Sequence, residues 1–126
     1  MTAWRRCSSL ATVHTRRYVL PLVPHDSATP VEMFPGVVRR TLTAGERMML
    51  VEVTLEDGAV VPTHTHPHEQ TGYLVSGRMT FELGDEAREL GPGACWLVPS
   101  DMPHQVTALE RCVVIDIFSP PREEYR

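Results

Sequence analysis

Lysine is absent from this chain of 126 residues, whose 12 basic side chains are all arginine against 16 acidic ones. The formal charge of −4 leaves no basic face of the kind that neutralises a phosphate backbone, so nucleic acid is not an expected partner. Cysteine is scarce: Cys7, Cys95 and Cys112 are odd in number and far apart, which excludes a disulfide framework and any CxxC zinc or redox motif. They read as idle thiols in a reducing cytoplasm. Long apolar runs are missing too, the stretch Met48–Val51 being typical, and no membrane span is expected. No segment of helical period longer than about eight residues stands out. Acid is absent before Asp26, while Arg5, Arg6, Arg16 and Arg17 precede it. The stretch Cys7–His14 is too polar for the apolar part of a secretory signal. The first twenty or so residues therefore read as an extension or an early start codon, and the cytoplasm is the expected location.

What is present fits one domain. At 14.2 kDa, with 42% hydrophobic and 22% charged residues, the chain can bury a core without staples. Residues 1–36 are punctuated by Pro21, Pro24, Pro30 and Pro35 and read as arm and loop. From Val37 short apolar segments alternate with Gly, Pro and acidic turns. They are Val37–Thr43, Met48–Glu56, Ala59–His64, Gln70–Ser76, Arg78–Leu83, Ala87–Leu90, Ala94–Val98, His104–Leu109 and Arg111–Phe118. This spacing predicts an all-β sandwich or barrel over residues 37–126. Asp57-Gly58 and Ser76-Gly77 read as hairpin-type turns between strands.

Alternation assigns faces in the last strand. Cys112, Val114, Asp116 and Phe118 share one side; Val113, Ile115 and Ile117 share the other. A strand apolar on both sides is covered on both, and in a chain this small the second cover is read as a partner subunit, giving an expected homodimer. A draped N-terminal arm is the alternative cover. Asp116 falls on the interior side, where a carboxylate is costly unless paired or functional. A salt bridge to an inward arginine is the bland reading. The functional reading makes Asp116 a general base, Phe118 a wall and Arg122 a clamp for a substrate carboxylate.

Four of the six histidines are His64, His66, His68 and His104. His64 and His66, two apart on an expected strand, project to one face and can chelate one ion. Gln70 follows just past the turn, and His104 opens a separate strand. Imidazole suits zinc, copper, nickel and iron, and an amide oxygen can complete the shell. His68 reads as the rim of a pocket, Trp96 and Met49 as core, and Tyr73 as packed outside the barrel. One of Arg39 and Arg40 is expected to face the pocket.

Gly58-x5-His64-x-His66-x3-Gln70-x6-Gly77 resembles the first motif of the cupins, and Gly93-x5-Pro99-x-Asp101-x2-His104 resembles the second. The resemblance implies a small single-domain cupin, a jelly-roll barrel (double-stranded β-helix). It also implies one divalent metal ion, Zn, Mn, Fe, Ni or Cu, held by His64, His66, Gln70 and His104. The chain departs from the pattern where Gln70 fills the usual Glu position, where Asp101 replaces a Gly and where Ala108 replaces an Asn. The string Asp116-x-Phe118-x3-Arg122 is similar to one in small cupins that linearise 4,5-unsaturated uronates in pectin and alginate degradation. The resemblance therefore implies an enzyme acting on a small carboxylate-bearing substrate, an acidic sugar or keto-acid, by lyase or isomerase-type proton transfer with Asp116, Phe118 and Arg122. A cupin dioxygenase and a non-catalytic ligand-binding or sensor cupin are the alternatives.

Overall fold

The computed structural model describes residues 22–126; Cys7, the paired arginines and the reading of the first twenty residues lie outside them. All nine strands expected from Val37 onward are present. They are β2 (Val37–Ala44), β3 (Met49–Leu55), β4 (Val60–His64), β5 (Glu69–Ser76), β6 (Met79–Leu83), β7 (Glu86–Leu90), β8 (Cys95–Val98), β9 (His104–Ala108) and β10 (Cys112–Ser119). A further strand, β1 (Pro30–Phe34), lies in the stretch expected to be arm and loop. Its prolines hid it. Pro30 opens an edge strand, where a missing N–H breaks no ladder bond, and Val31 and Glu32 pair with Arg39 and Val38 of β2.

The strands form two antiparallel sheets, one ordered β1-β2-β3-β10-β5-β8 and the other β4-β9-β6-β7. The turns at Asp57-Gly58 and Ser76-Gly77 are not hairpins. Each carries the chain from the six-stranded sheet to the four-stranded one, so the strands they join do not pair. A turn dipeptide reports a reversal; whether the next strand pairs with its predecessor is decided by long-range packing. Gly84-Asp85, by contrast, closes a true hairpin between β6 and β7.

The core lies between the sheets. Val37, Leu55, Leu74, Val98 and Val114 from one sheet meet Met79, Phe81 and Ala108 from the other. Each such aliphatic side chain contributes about 1.5–3 kcal/mol by leaving water. Trp96 and Met49 are buried as expected, and Tyr73 is exposed on the outer face. In β10, set between β3 and β5, the side carrying Cys112, Val114, Asp116 and Phe118 is buried, while Ile117 is exposed. No helix among the described residues is long and apolar enough to cross a membrane.

One glycine sets the approach of the site to this core. A Cβ on Gly72 of β5 would overlap the Trp96 indole and the Asp116 carboxylate. Register places Gly72 directly between them, opposite Asp116 on one neighbour and Trp96 on the other. Gly72→Ala should therefore destabilise the fold by about 1–3 kcal/mol through overpacking. Thermal denaturation followed by circular dichroism should show a midpoint several degrees lower; an unchanged midpoint would mean that the two side chains have room to part.

Candidate metal centre

The end of β4 and the start of β9 bring two histidines together, since His64 and His104 are register partners with ring centroids 4.1 Å apart. His66 reaches the cluster from the loop rather than from a strand, because β4 ends at His64. Its ring lies 4.9 Å from that of His104 and 5.6 Å from that of His64. One ring nitrogen from each of the three falls within 4.8 Å of the others.

Which nitrogen faces inward follows from the backbone. Nδ1 of His64 lies 2.8 Å from the Pro62 carbonyl, that of His66 2.9 Å from the His68 carbonyl, and that of His104 2.9 Å from the Met102 carbonyl. A carbonyl only accepts, so each Nδ1 carries the proton and each Nε2 is left with a bare lone pair. The His104 Nε2 is buried with no hydrogen-bond partner among the described residues. His66 Nε2 stands 3.0 Å from Gln70 Oε1. The Gln70 amide is oriented by its own NH2 group, which donates to Asp116 Oδ1 at 2.9 Å. Two acceptors thus face each other at hydrogen-bond distance. A cation among these atoms satisfies both the orphaned nitrogen and the opposed pair, so the donor set fits a divalent ion. Burial holds the His104 pKa down at about 4 and also lowers that of His66, with the Arg122 charge adding to the effect there. Both rings therefore favour the neutral form, with the Nε2 lone pair free.

Asp116 sits immediately behind Gln70. Its Oδ1 accepts from Gln70 and, at 3.1 Å, from Trp96 Nε1; neutral donors hold it rather than an arginine salt bridge. Burial raises its pKa to about 6, against the opposing pull of those two hydrogen bonds and of the Arg122 charge. The Phe118 ring meets His66 edge-on at 5.6 Å, and the Arg122 guanidinium lies 5.4 Å from the Phe118 centroid. One cavity is lined by His64, Gln70, His104, Asp116, Phe118 and Arg122 together with Tyr125. His66 is buried beside it.

The Cupin domain family model matches residues 51–118 of the chain. The protein belongs to the cupin family. It is 32% identical to the pectin degradation protein KdgF of Dickeya dadantii (strain 3937) over 113 residues, 87% of this chain and 98% of that protein. The solved structure of KdgF from a Halomonas species superposes with a TM-score of 0.79 at 34% identity, covering 83% of this chain and 99% of that one. An RmlC-like cupin from Shewanella frigidimarina shares the fold, with a TM-score of 0.82 at 24% identity and coverage of 86% and 98%.

Asp101, which stands where the cupin motif has glycine, takes a left-handed conformation, with φ of 64°. Aspartate tolerates that region better than most residues, and the bend lets the Asp101 N–H donate to the His66 carbonyl at 2.8 Å. The acid Glu69 points outward, leaving Gln70 inward. His68 is half-buried outside the cavity lining, its ring 5.7 Å from that of His66 and its Nδ1 without a partner among the described residues. Neither of the two arginines left open lines the cavity: Arg39 packs on the lining residue Tyr125, its guanidinium 4.3 Å from the ring centroid. Arg40 bonds the Ala28 carbonyl instead.

Sequence reasoning missed Tyr125 and the polar role of Trp96. The first carried a signal in its spacing: Arg122 and Tyr125 are three apart, and side chains so placed eclipse in the 3-10 turn that the chain forms there.

The double variant His64→Ala/His104→Ala should remain folded and lose stoichiometric metal. Elemental analysis after dialysis measures this directly; a full equivalent retained would show that the ion binds elsewhere.

Proposed function

We propose that this cupin holds one divalent metal ion at His64, His66, Gln70 and His104 and acts on a small acidic sugar by proton transfer, in the manner of a lyase or isomerase. One observation carries the reading: a raised carboxylate, a guanidinium and three convergent imidazoles line or adjoin a single cavity. Similarity to a pectin degradation protein over nearly the whole chain supports an unsaturated uronate as the substrate class.

The roles follow from position. Arg122 receives the sugar carboxylate and fixes its plane, since a guanidinium fork recognises a carboxylate directionally. Phe118, 3% exposed, forms an apolar wall that keeps water from the reacting face. Asp116 takes the proton from one sugar atom and returns it to another. Its burial raises the basicity of its carboxylate, and the donors from Gln70 and Trp96 hold Oδ1 still. The bound ion would supply Lewis acidity to sugar oxygens at the histidine end.

With a 4,5-unsaturated uronate as substrate, loss of the ultraviolet absorbance of its conjugated double bond reports turnover. Asp116→Asn should keep metal and fold yet lose about 10²–10⁴-fold in kcat, the usual worth of a positioned acid–base group. Arg122→Lys should chiefly raise KM. Full activity in Asp116→Asn, or stoichiometric oxygen uptake by the wild type, would contradict proton transfer by this carboxylate.

We further propose a homodimer through the outer face of the six-stranded sheet. Tyr73, Val75, Leu97 and Ile117, 39–53% exposed, sit on the adjacent strands β5, β8 and β10, with Ile115 opposite Tyr73. A largely apolar face of this kind, interrupted by Thr71, resembles the composition of dimer interfaces. Sedimentation should give twice the 14.2 kDa chain mass; a monomer at micromolar concentration would defeat the proposal.

A further inference from the structure

The last turn of the chain converges on Tyr125. Its ring lies between two guanidinium groups, with Arg39 4.3 Å and Arg122 4.2 Å from the centroid, and meets Phe118 edge-on at 5.7 Å. Its hydroxyl accepts from Arg122 Nη1 at 3.0 Å. Its backbone carbonyl accepts from Thr41 Oγ1 at 2.5 Å and from Arg39 Nη1 at 3.2 Å, which ties the turn to β2 from the far end of the sequence.

These contacts act on one flexible side chain. A free arginine samples many rotamers, and about 2 kcal/mol of entropy opposes holding it in one. Here the aromatic face supports the guanidinium plane, Nη1 is fixed on the Tyr125 hydroxyl and Nη2 on Glu124 at 3.0 Å. The Arg122 Nε is buried and has no partner among the described residues. The second hydrogens of Nη1 and Nη2 are likewise unengaged among the described residues, so a fork of donors is left for a ligand.

We propose that Tyr125 is a positioning residue. It sets the Arg122 guanidinium, which lines the cavity, so that its unengaged N–H groups are held ready for a carboxylate there, and Arg39 and Thr41 hold Tyr125 in turn. The inference rests on the proposed carboxylate-bearing substrate, and it goes beyond that reading by assigning the affinity for the substrate to a contact the substrate does not touch.

The test compares Tyr125→Phe, which keeps the ring and loses the hydroxyl, with Tyr125→Ala, in metal-loaded protein. With a 4,5-unsaturated uronate, Tyr125→Phe should raise KM roughly tenfold, the order expected for a lost hydrogen bond to a charged group, with kcat within about twofold and metal content unchanged. Tyr125→Ala should raise KM further, so that the phenylalanine variant is a partial rescue. Unchanged KM in both variants, or a fall in kcat at constant KM, would overturn the proposal. A second readout needs no substrate. In 15N-labelled protein the Arg122 Nε–H resonance, assigned by its disappearance in Arg122→Lys, should be shifted by the Tyr125 ring and slow to exchange with water. Tyr125→Ala should move it and speed its exchange. A resonance that stays in place with wild-type exchange would refute the positioning role. Should the wild type turn over no uronate, the proposed function fails by itself while the arginine spectrum still decides this point.

Discussion

Three converging imidazoles, two of them buried, have each committed their Nδ1 proton to a backbone carbonyl two residues away. That constraint governs the rest of the site. It fixes the tautomers and turns three lone pairs toward one another, and on His66 and His104 burial disfavours a second proton. The carbonyls belong to Pro62 within β4 and to the loop residues His68 and Met102, so the backbone path of that strand and those loops sets the donor geometry. The loops are themselves pinned together: Asp101 donates to the His66 carbonyl, and the Ser100 hydroxyl donates to the Pro67 carbonyl at 2.6 Å. Such outer contacts hold ligands in place before any ion arrives.

A chain of side chains runs from this corner into the core. Gln70 faces His66 with its oxygen and Asp116 with its nitrogen, and Asp116 leads on to the Trp96 indole. The amide cannot turn over without presenting its oxygen to the carboxylate and its donor to the imidazole. Hydrogen bonds in such buried series reinforce one another. The barrel thereby couples the protonation of Asp116 to the orientation of a ligand oxygen, with bare Gly72 making room for the crossing.

Much of this was legible in the residues, for particular reasons. Strands β2 to β10 declared themselves because each is short, alternating and bounded by Gly, Pro or acid. The convergence of His64, His66, Gln70 and His104 and the inward face of Asp116 followed from parity and motif spacing, which are local. β1 escaped because proline in an edge strand looks like loop. The turns at Gly58 and Gly77 were misread as hairpins because sheet membership depends on contacts with distant strands. The partners of Asp116 were invisible for the same reason. Trp96 reaches it only because β8 and β10 both flank β5, a register that no local pattern encodes. Tyr125 lies beyond the last strand, where alternation gives no guidance and its placement depends on Arg39 and Thr41, more than eighty residues away.

Crystals grown with a divalent transition metal offer the most direct test of this preorganised centre. An anomalous-difference map should show one peak at ordinary coordination distances, about 2.0–2.2 Å, from Nε2 of His64, His66 and His104, with Gln70 Oε1 turned to it and the three Nδ1 bonds to carbonyls intact. A peak away from these rings, or one bound through Nδ1 with the carbonyl bonds broken, would contradict the account.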